Sequence, residues 1–319
     1  MKRLRKKHPT VRDLGEFGLI RQLRGIVGSS GNSVVLGIGD DCAVLRGDNP
    51  HNYLLYTCDP VVEGIHYRPT DPPRKVGWKA MARNLSDIAA MGGVPRWAVV
   101  SIGLRPGTDV HWVKQLYTGL QAAAKAFGCQ IVGGDTTHVR HEQFVVVALV
   151  GKVERSQITL RGGAKVGDSI LVTGALGGSL RGKHLSFTPR IHEARWLVAH
   201  FPVHAMIDLS DGLSSDLHRL AEASPRGIAF EIHAAEIPIS RAARGHLAAA
   251  LTDGEDFELL FTLDPRHVTA LRRKWARRFR TELTEIGRVV KSKYKVALIQ
   301  RDGSRQPLPA AGYDHFAAT

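Results

Sequence analysis

The sequence predicts a mixed α/β protein of two domains, and three observations carry that expectation. Strand-like and helix-like segments alternate through the first half. A polar, glycine-rich break, GKVERSQITLRGGAKVGD, occupies residues 151–168, and an apolar strand, SILVTG, opens the second half. A chain of 319 residues accommodates two domains of similar size, expected here at 15–152 and 153–319. A basic segment at 1–14, beginning MKRLRKKHPT, is expected to be a flexible tail. It has no apolar stretch behind it and so does not read as a secretory signal.

In order along the chain, Val34 to Leu36, Tyr53 to Thr57, Trp97 to Leu104 and Phe144 to Val150 are rich in β-branched or aromatic residues between turn formers, and read as strands. A helical pattern from about Val76 to Met91 stops at Gly92, Gly93 and Pro95; a second, from about Asp109 to Phe127, stops at Gly128. After the break, a helix is expected from about Ser210 to Ala223. Ser210 is its natural cap, and Leu213, Leu217 and Leu220 form its apolar stripe. A strand around Phe257 to Leu263, an amphipathic helix marked by Val268, Leu271, Trp275 and Phe279, and a last strand near Tyr294 to Ile299 complete the pattern.

Composition narrows the function classes. A 43% hydrophobic and 23% charged make-up suits a globular protein with a real core, and no run approaches the ~18 apolar residues of a membrane span. Cys42, Cys58 and Cys129 form no CxxC pair, which argues against a disulfide framework or a zinc site and fits a reducing cytoplasm. The net charge of +14 would suit nucleic acid, an anionic membrane or an anionic small molecule. Its densest stretch, Arg272, Arg273, Lys274, Arg277, Arg278 and Arg280, reads as the solvated face of the amphipathic helix, so nucleic acid is not favoured.

The chemistry lies in the acids. Aspartates recur beside glycine or at strand ends: GIGDDCAVL (Asp40, Asp41), YTCDPVVEGIH (Asp59), NLSDIAAMGG (Asp87), IVGGDTT (Asp135), IDLSDGLSSD (Asp208, Asp211, Asp216) and DGEDFELLF (Glu255, Asp256). Any one of them can be a turn former or a cap; six clusters of this form call for more. Magnesium takes one or two carboxylates per ion plus substrate phosphates, so several ions on a polyphosphate need dispersed aspartates. GGSLRGKH, Gly177 to His184, matches GxxxxGK of a phosphate loop but places His184 where a magnesium-binding hydroxyl belongs, and is set aside. There is no GxGxxG, HExxH or GxSxG.

Together, GEFGLI at 15–20, GIGDDCAVL, DPVVEGIHY, NLSDIAAMGG, IVGGDTT, IDLSDGLSSDL, DGEDFELLF and the terminal GYDHFA resemble the thiamine-monophosphate kinases. That family lies within the ATP-binding superfamily of aminoimidazole ribonucleotide synthetase. The resemblance implies that superfamily's two-domain α/β fold with mixed sheets, N-terminal domains pairing into a β-barrel across a homodimer, and ATP near that interface. It implies transfer of the ATP γ-phosphoryl group to thiamine monophosphate, assisted by several Mg2+ ions. By motif, Asp41, Thr57, Cys58, Asp59, Asp87, Asp135, Asp208 and Asp211 would hold metal, with Asp59, Asp135 and Asp211 catalytic. Tyr117, Gly134, Asp135, Arg161 and Ser210 would contact ATP, and His66, Glu255 and Tyr313 the thiamine phosphate.

Cys58 departs from the family's small hydroxyl residue before Asp59, so only its carbonyl suits magnesium; Pro60 and Val61 depart too. The alternatives are another enzyme of the superfamily or, less favoured, a basic nucleic-acid-binding protein. A hydrogenase-maturation protein would end in cysteine, whereas this chain ends HFAAT, and the nucleic-acid reading leaves the acids unexplained. Residues 177–191 have no reading from the sequence.

Overall fold

The computed structural model describes residues 8–28 and 31–316; most of the basic tail, 1–7, lies outside the described residues. The elements run α1 (Val11–Val27), β1 (Val34–Leu36), β2 (Ala43–Arg46), β3 (Asn52–Val62), α2 (Pro73–Ala90), β4 (Val94–Leu104), α3 (Val110–Ala126), β5 (Gln130–His138) and β6 (Phe144–Glu154). They continue with β7 (Ser169–Thr173), α4 (Ile191–His200), β8 (Val203–Asp208), α5 (Leu213–Ala223), β9 (Ile228–His233), α6 (Leu247–Thr252) and β10 (Leu259–Leu263). The chain closes with α7 (Val268–Arg278), β11 (Leu283–Lys291), β12 (Val296–Ile299) and β13 (Arg305–Pro307).

Two mixed sheets result. The first has six strands in the order β1-β2-β3-β6-β4-β5, antiparallel except for β4–β5. The second has seven in the order β13-β12-β9-β11-β7-β10-β8, with β12–β9 its parallel pair. Alternation along the first sheet turns Leu55, Val100, Val147 and Leu149 toward α2 and α3. The opposite face stays open in the single chain, with Tyr56, Trp97, Val99 and Val132 exposed.

Helix α2 is the hinge of the architecture. It buries 12 of its 18 residues, because α3 and the first sheet cover one side while α4 and β8 of the second half cover another. Its approach to α3 is set by glycine: a Cβ on Gly77 would lie 2.0 Å from the Leu116 carbonyl oxygen, and one on Gly119 would lie 1.9 Å from that of Arg74. The second sheet is covered on one face by α5, whose Leu213, Leu217 and Leu220 join Ile207, Phe230 and Leu298 in a separate core.

Three expectations need correction. Residues 11–14 of the basic tail are helical: Thr10 and Asp13 form a capping box that starts α1. The strand expected to end at Thr57 runs to Val62, so Asp59 lies inside it, and Pro60 is tolerated because β2 has ended by Tyr56 and only β6 pairs there. Ser210 does not cap the helix after it. The chain turns at Gly212 (φ 114°), and the Asp216 carboxylate reaches back from the first turn to accept from the Asp211 and Gly212 amides, each at 3.2 Å.

Candidate active site

A cleft of about 1320 Å3 opens between the halves, lined by Asp40, Asp41, Thr57, Asp59, Asp87, Arg161, Asp208, Ser210 and Asp211. Asp41 comes from the β1–β2 turn, Asp59 from β3, Asp87 from α2 and Asp208 from the end of β8. Oxygens of Asp41, Asp87 and Asp208 all lie within 4.8 Å of one another. Hydroxyls steady two of them: Thr57 donates to Asp87 at 2.5 Å and Ser86 to Asp208 at 2.6 Å.

Burial in one another's company makes these carboxylates hard to ionise. Burial and then the Asp41 charge raise Asp208 to about 7; burial and then the Asp59 and Asp208 charges raise Asp87 well above its usual range. Asp40 and Asp211 are likewise pushed to about 7, chiefly by burial. Arg161 opposes part of this, reaching Asp41 at 2.5 Å while its amide donates to Asp40 at 3.1 Å. Yet Asp41 Oδ2 is buried without a hydrogen-bond partner. Crowded anionic oxygens with an orphan among them fit a hard divalent cation.

Strand parity separates Cys58 from this set. Thr57 and Asp59 point to the α2 side of β3, whereas Cys58 points to the open face and is exposed, so its thiol is not among the converging donors. Asp135 and Gly134 lie on the exposed edge strand β5. The register runs Asp59–Val147–Val100–Gly134, three strand steps, so β5 is about 14 Å from β3. No Cβ fits at Gly134, where it would lie 1.9 Å from the Val100 carbonyl oxygen. Tyr117 lines a separate shallow depression with Arg74 and Lys114. A single chain therefore does not bring Asp135, Gly134 or Tyr117 to the acid cluster.

Next to Arg83 and His315, which line the cleft, stand His66, Glu255 and Tyr313. The His66 ring is 5.3 Å from that of His315, which lies edge-on to Tyr313 at 4.9 Å, and the Tyr313 amide donates to the Asp211 carbonyl at 2.9 Å. Burial, then the Arg83 charge, lowers His66 to about 3, so its ring is neutral. Glu255 is the opposite: burial would raise it, but the Lys79 and Arg83 cations that touch it hold it below its usual range. The chain's first and last motifs close this end, the Glu16 amide lying 3.4 Å from the Asp314 carboxylate.

Sequence reasoning misses Lys79, Arg83, Asn84 and His184. Arg83 stands between two acids, 3.4 Å from Asp59 and 3.3 Å from Glu255, and Asn84 accepts from the Asp59 amide at 3.1 Å. Lys79, Arg83 and Asp87 fall at four-residue spacing on one helical face, a signal that could have found them.

Comparison with known proteins agrees with this architecture. Residues 39–153 match the model of the AIR synthase related protein N-terminal domain, and 162–299 match that of its C-terminal domain. The thiamine-monophosphate kinase of Rhodopirellula baltica is 37% identical over 273 residues, 81% of this chain and 84% of that protein. That of Escherichia coli K12 is 35% identical over 95% of this chain and 98% of its own length. The solved structure of a protein called AaThiL, complexed with AMPPCP and TMP, superposes with a TM-score of 0.81 at 31% identity, covering 97% of this chain and 99% of that one.

Proposed function

This chain belongs to the thiamine-monophosphate kinase family, and from that premise we propose that it transfers the γ-phosphoryl group of ATP to thiamine monophosphate, giving thiamine diphosphate and ADP. The observation that carries the reading is the gathering of Asp41, Asp87 and Asp208 within 4.8 Å in a cleft shared by both halves. Asp41, Thr57, Asp59, Asp87, Asp208 and Asp211 would hold Mg2+, which when bound neutralises phosphate charge and aligns the oxygens. The acceptor is a phosphate oxygen, already ionised, so no strong base is needed. Arg83 and Arg161 supply positive charge at the two ends of the acid row, and the edge-on aromatics and Glu255 suit a flat, cationic acceptor.

We further propose that two such chains pair through the open face of the first sheet. The exposed Trp97, Val99 and Val132 support this, and pairing would give Gly134, Asp135 and Tyr117 their place in nucleotide and metal binding. Two separate sheets support a division into two domains, with the boundary placed just past β6, which runs to Glu154 and so carries the first sheet two residues beyond the expected limit of 152. No helix among the described residues is long and apolar enough to cross a membrane. Cytoplasmic residence is the reading that three free cysteines support.

The test is direct. Purified protein with magnesium, ATP and thiamine monophosphate forms thiamine diphosphate, and Asp59→Asn abolishes turnover. If thiamine monophosphate leaves ADP release unchanged while another phosphorylated metabolite stimulates it, the substrate assignment is wrong.

A further inference from the structure

We propose that Lys79 and His184 are positioning residues that set Glu255 for the acceptor substrate, an inference that rests on the functional reading above. Lys79 is fully buried on α2, and its ammonium has three partners from three distant stretches of chain. It donates to the His66 carbonyl at 2.6 Å, to the Glu255 carboxylate, and to His184 Nδ1 at 3.0 Å. An ammonium has no lone pair, so His184 Nδ1 accepts and its ring proton sits on Nε2. The three donors are thereby used, and two of the residues expected at the thiamine phosphate are tied to one buried atom.

Glu255 needs such a tie. Its φ of 68° and that of Phe257, 51°, lie in the left-handed region that favours glycine, so the local chain does not hold it there by itself. The main chain contributes the Glu255 amide bond to the Ser210 carbonyl at 2.7 Å, and the side chain is fixed by Lys79 and Arg83.

The segment that lacks a sequence reading delivers His184 to this point. Asp253 accepts from the Gly178 amide at 2.9 Å and Asp256 from that of Gly177 at 2.8 Å. Glu258 takes Lys183 at 3.0 Å and Arg190 at 2.7 Å. The acids on either side of Glu255 thus fasten residues 177–190, and Phe187 of that segment stacks on Phe257 at 4.0 Å. The loop acts on the acceptor side of the cleft and leaves the acid cluster alone.

The test uses the full chain with three substitutions. Asparagine places an amide oxygen near the position of Nδ1, so His184→Asn keeps the acceptor for Lys79 while His184→Leu removes it. Lys79→Met removes the donor. Expected for His184→Leu and Lys79→Met is a KM for thiamine monophosphate raised about tenfold or more with the KM for ATP within about twofold, and for His184→Asn values near the parent. In substrate-free protein, amide exchange across residues 254–258 should quicken in His184→Leu and Lys79→Met and stay unchanged in His184→Asn. Equal behaviour of His184→Asn and His184→Leu, or a KM for ATP that rises in step, overturns the proposal. If the parent protein does not turn over thiamine monophosphate, the functional reading fails, and exchange at 254–258 alone decides the positioning role.

Discussion

Replacing Asp208 by asparagine should stabilise the metal-free protein while removing its response to magnesium. Asp208 is buried, and burial followed by the neighbouring Asp41 charge lifts its carboxyl from 3.8 to about 7. A carboxyl raised that far is strained by roughly 4 kcal/mol when it ionises. The sign follows from proton counts. Between pH 3.8 and about 7 the folded protein binds the proton that the unfolded chain has released, so stability falls as pH rises through that window and levels off above it. Asparagine keeps an oxygen to accept from Ser86, which is 2.6 Å away in the parent, and so preserves the one local bond. Allowing for relaxation, a gain of about 1–3 kcal/mol is expected, or about 2–6 °C in Tm for a chain of this size. Thermal unfolding of metal-free protein at pH 5 and pH 8, with and without magnesium, reads it. The parent should be more stable at pH 5 than at pH 8, the variant should show a smaller fall because Asp40 and Asp211, also raised to about 7, still titrate in that window, and the magnesium-induced rise should be largely confined to the parent. A metal-free variant less stable than the parent at pH 8, or one stabilised by magnesium as strongly, would refute the claim that a cation relieves the crowded carboxylates.

Two other outcomes test the framework around the site. Gly77→Ala forces a Cβ to within 2.0 Å of the Leu116 carbonyl, a backbone atom that cannot swing aside, so a loss of about 2 kcal/mol or more is expected in urea unfolding. If two chains pair through the open face as proposed, the parent should sediment as a dimer and Val99→Asp, which puts a charge in the middle of that face, as a monomer, with folding preserved because the site is already 41% exposed.

How far the sequence reveals such a site depends on what each signal reports. The alternation of elements and the clusters at Asp41, Asp87, Asp208 and Asp211 are legible, because strands, turns and acids leave local marks; the break expected from residue 151 is legible only in its later part, because β6 runs on to Glu154. The cap of α5 is not, since Ser210 satisfies the local rule, but the chain turns at Gly212 and the free amides are taken by Asp216 from inside the first turn. Lys79 is invisible for a different reason: on α2 alone it reads as a solvent-facing charge, and its burial arises when residues 184 and 255, more than 100 positions away, fold onto it. Asp135 marks a third limit. Its motif points to metal, but within one chain the sheet holds it about 14 Å from β3.

The paired glycines between α2 and α3 have a consequence for how the cleft is braced. They bring the two helices backbone to backbone, so Arg83, Asn84, Ser86 and Asp87 are spaced along one buttressed rod. The same rod reaches across to the second half, where Ser86 holds Asp208 and Lys79 holds Glu255. One helix thus sets the spacing of acids that the chain delivers from both of its halves.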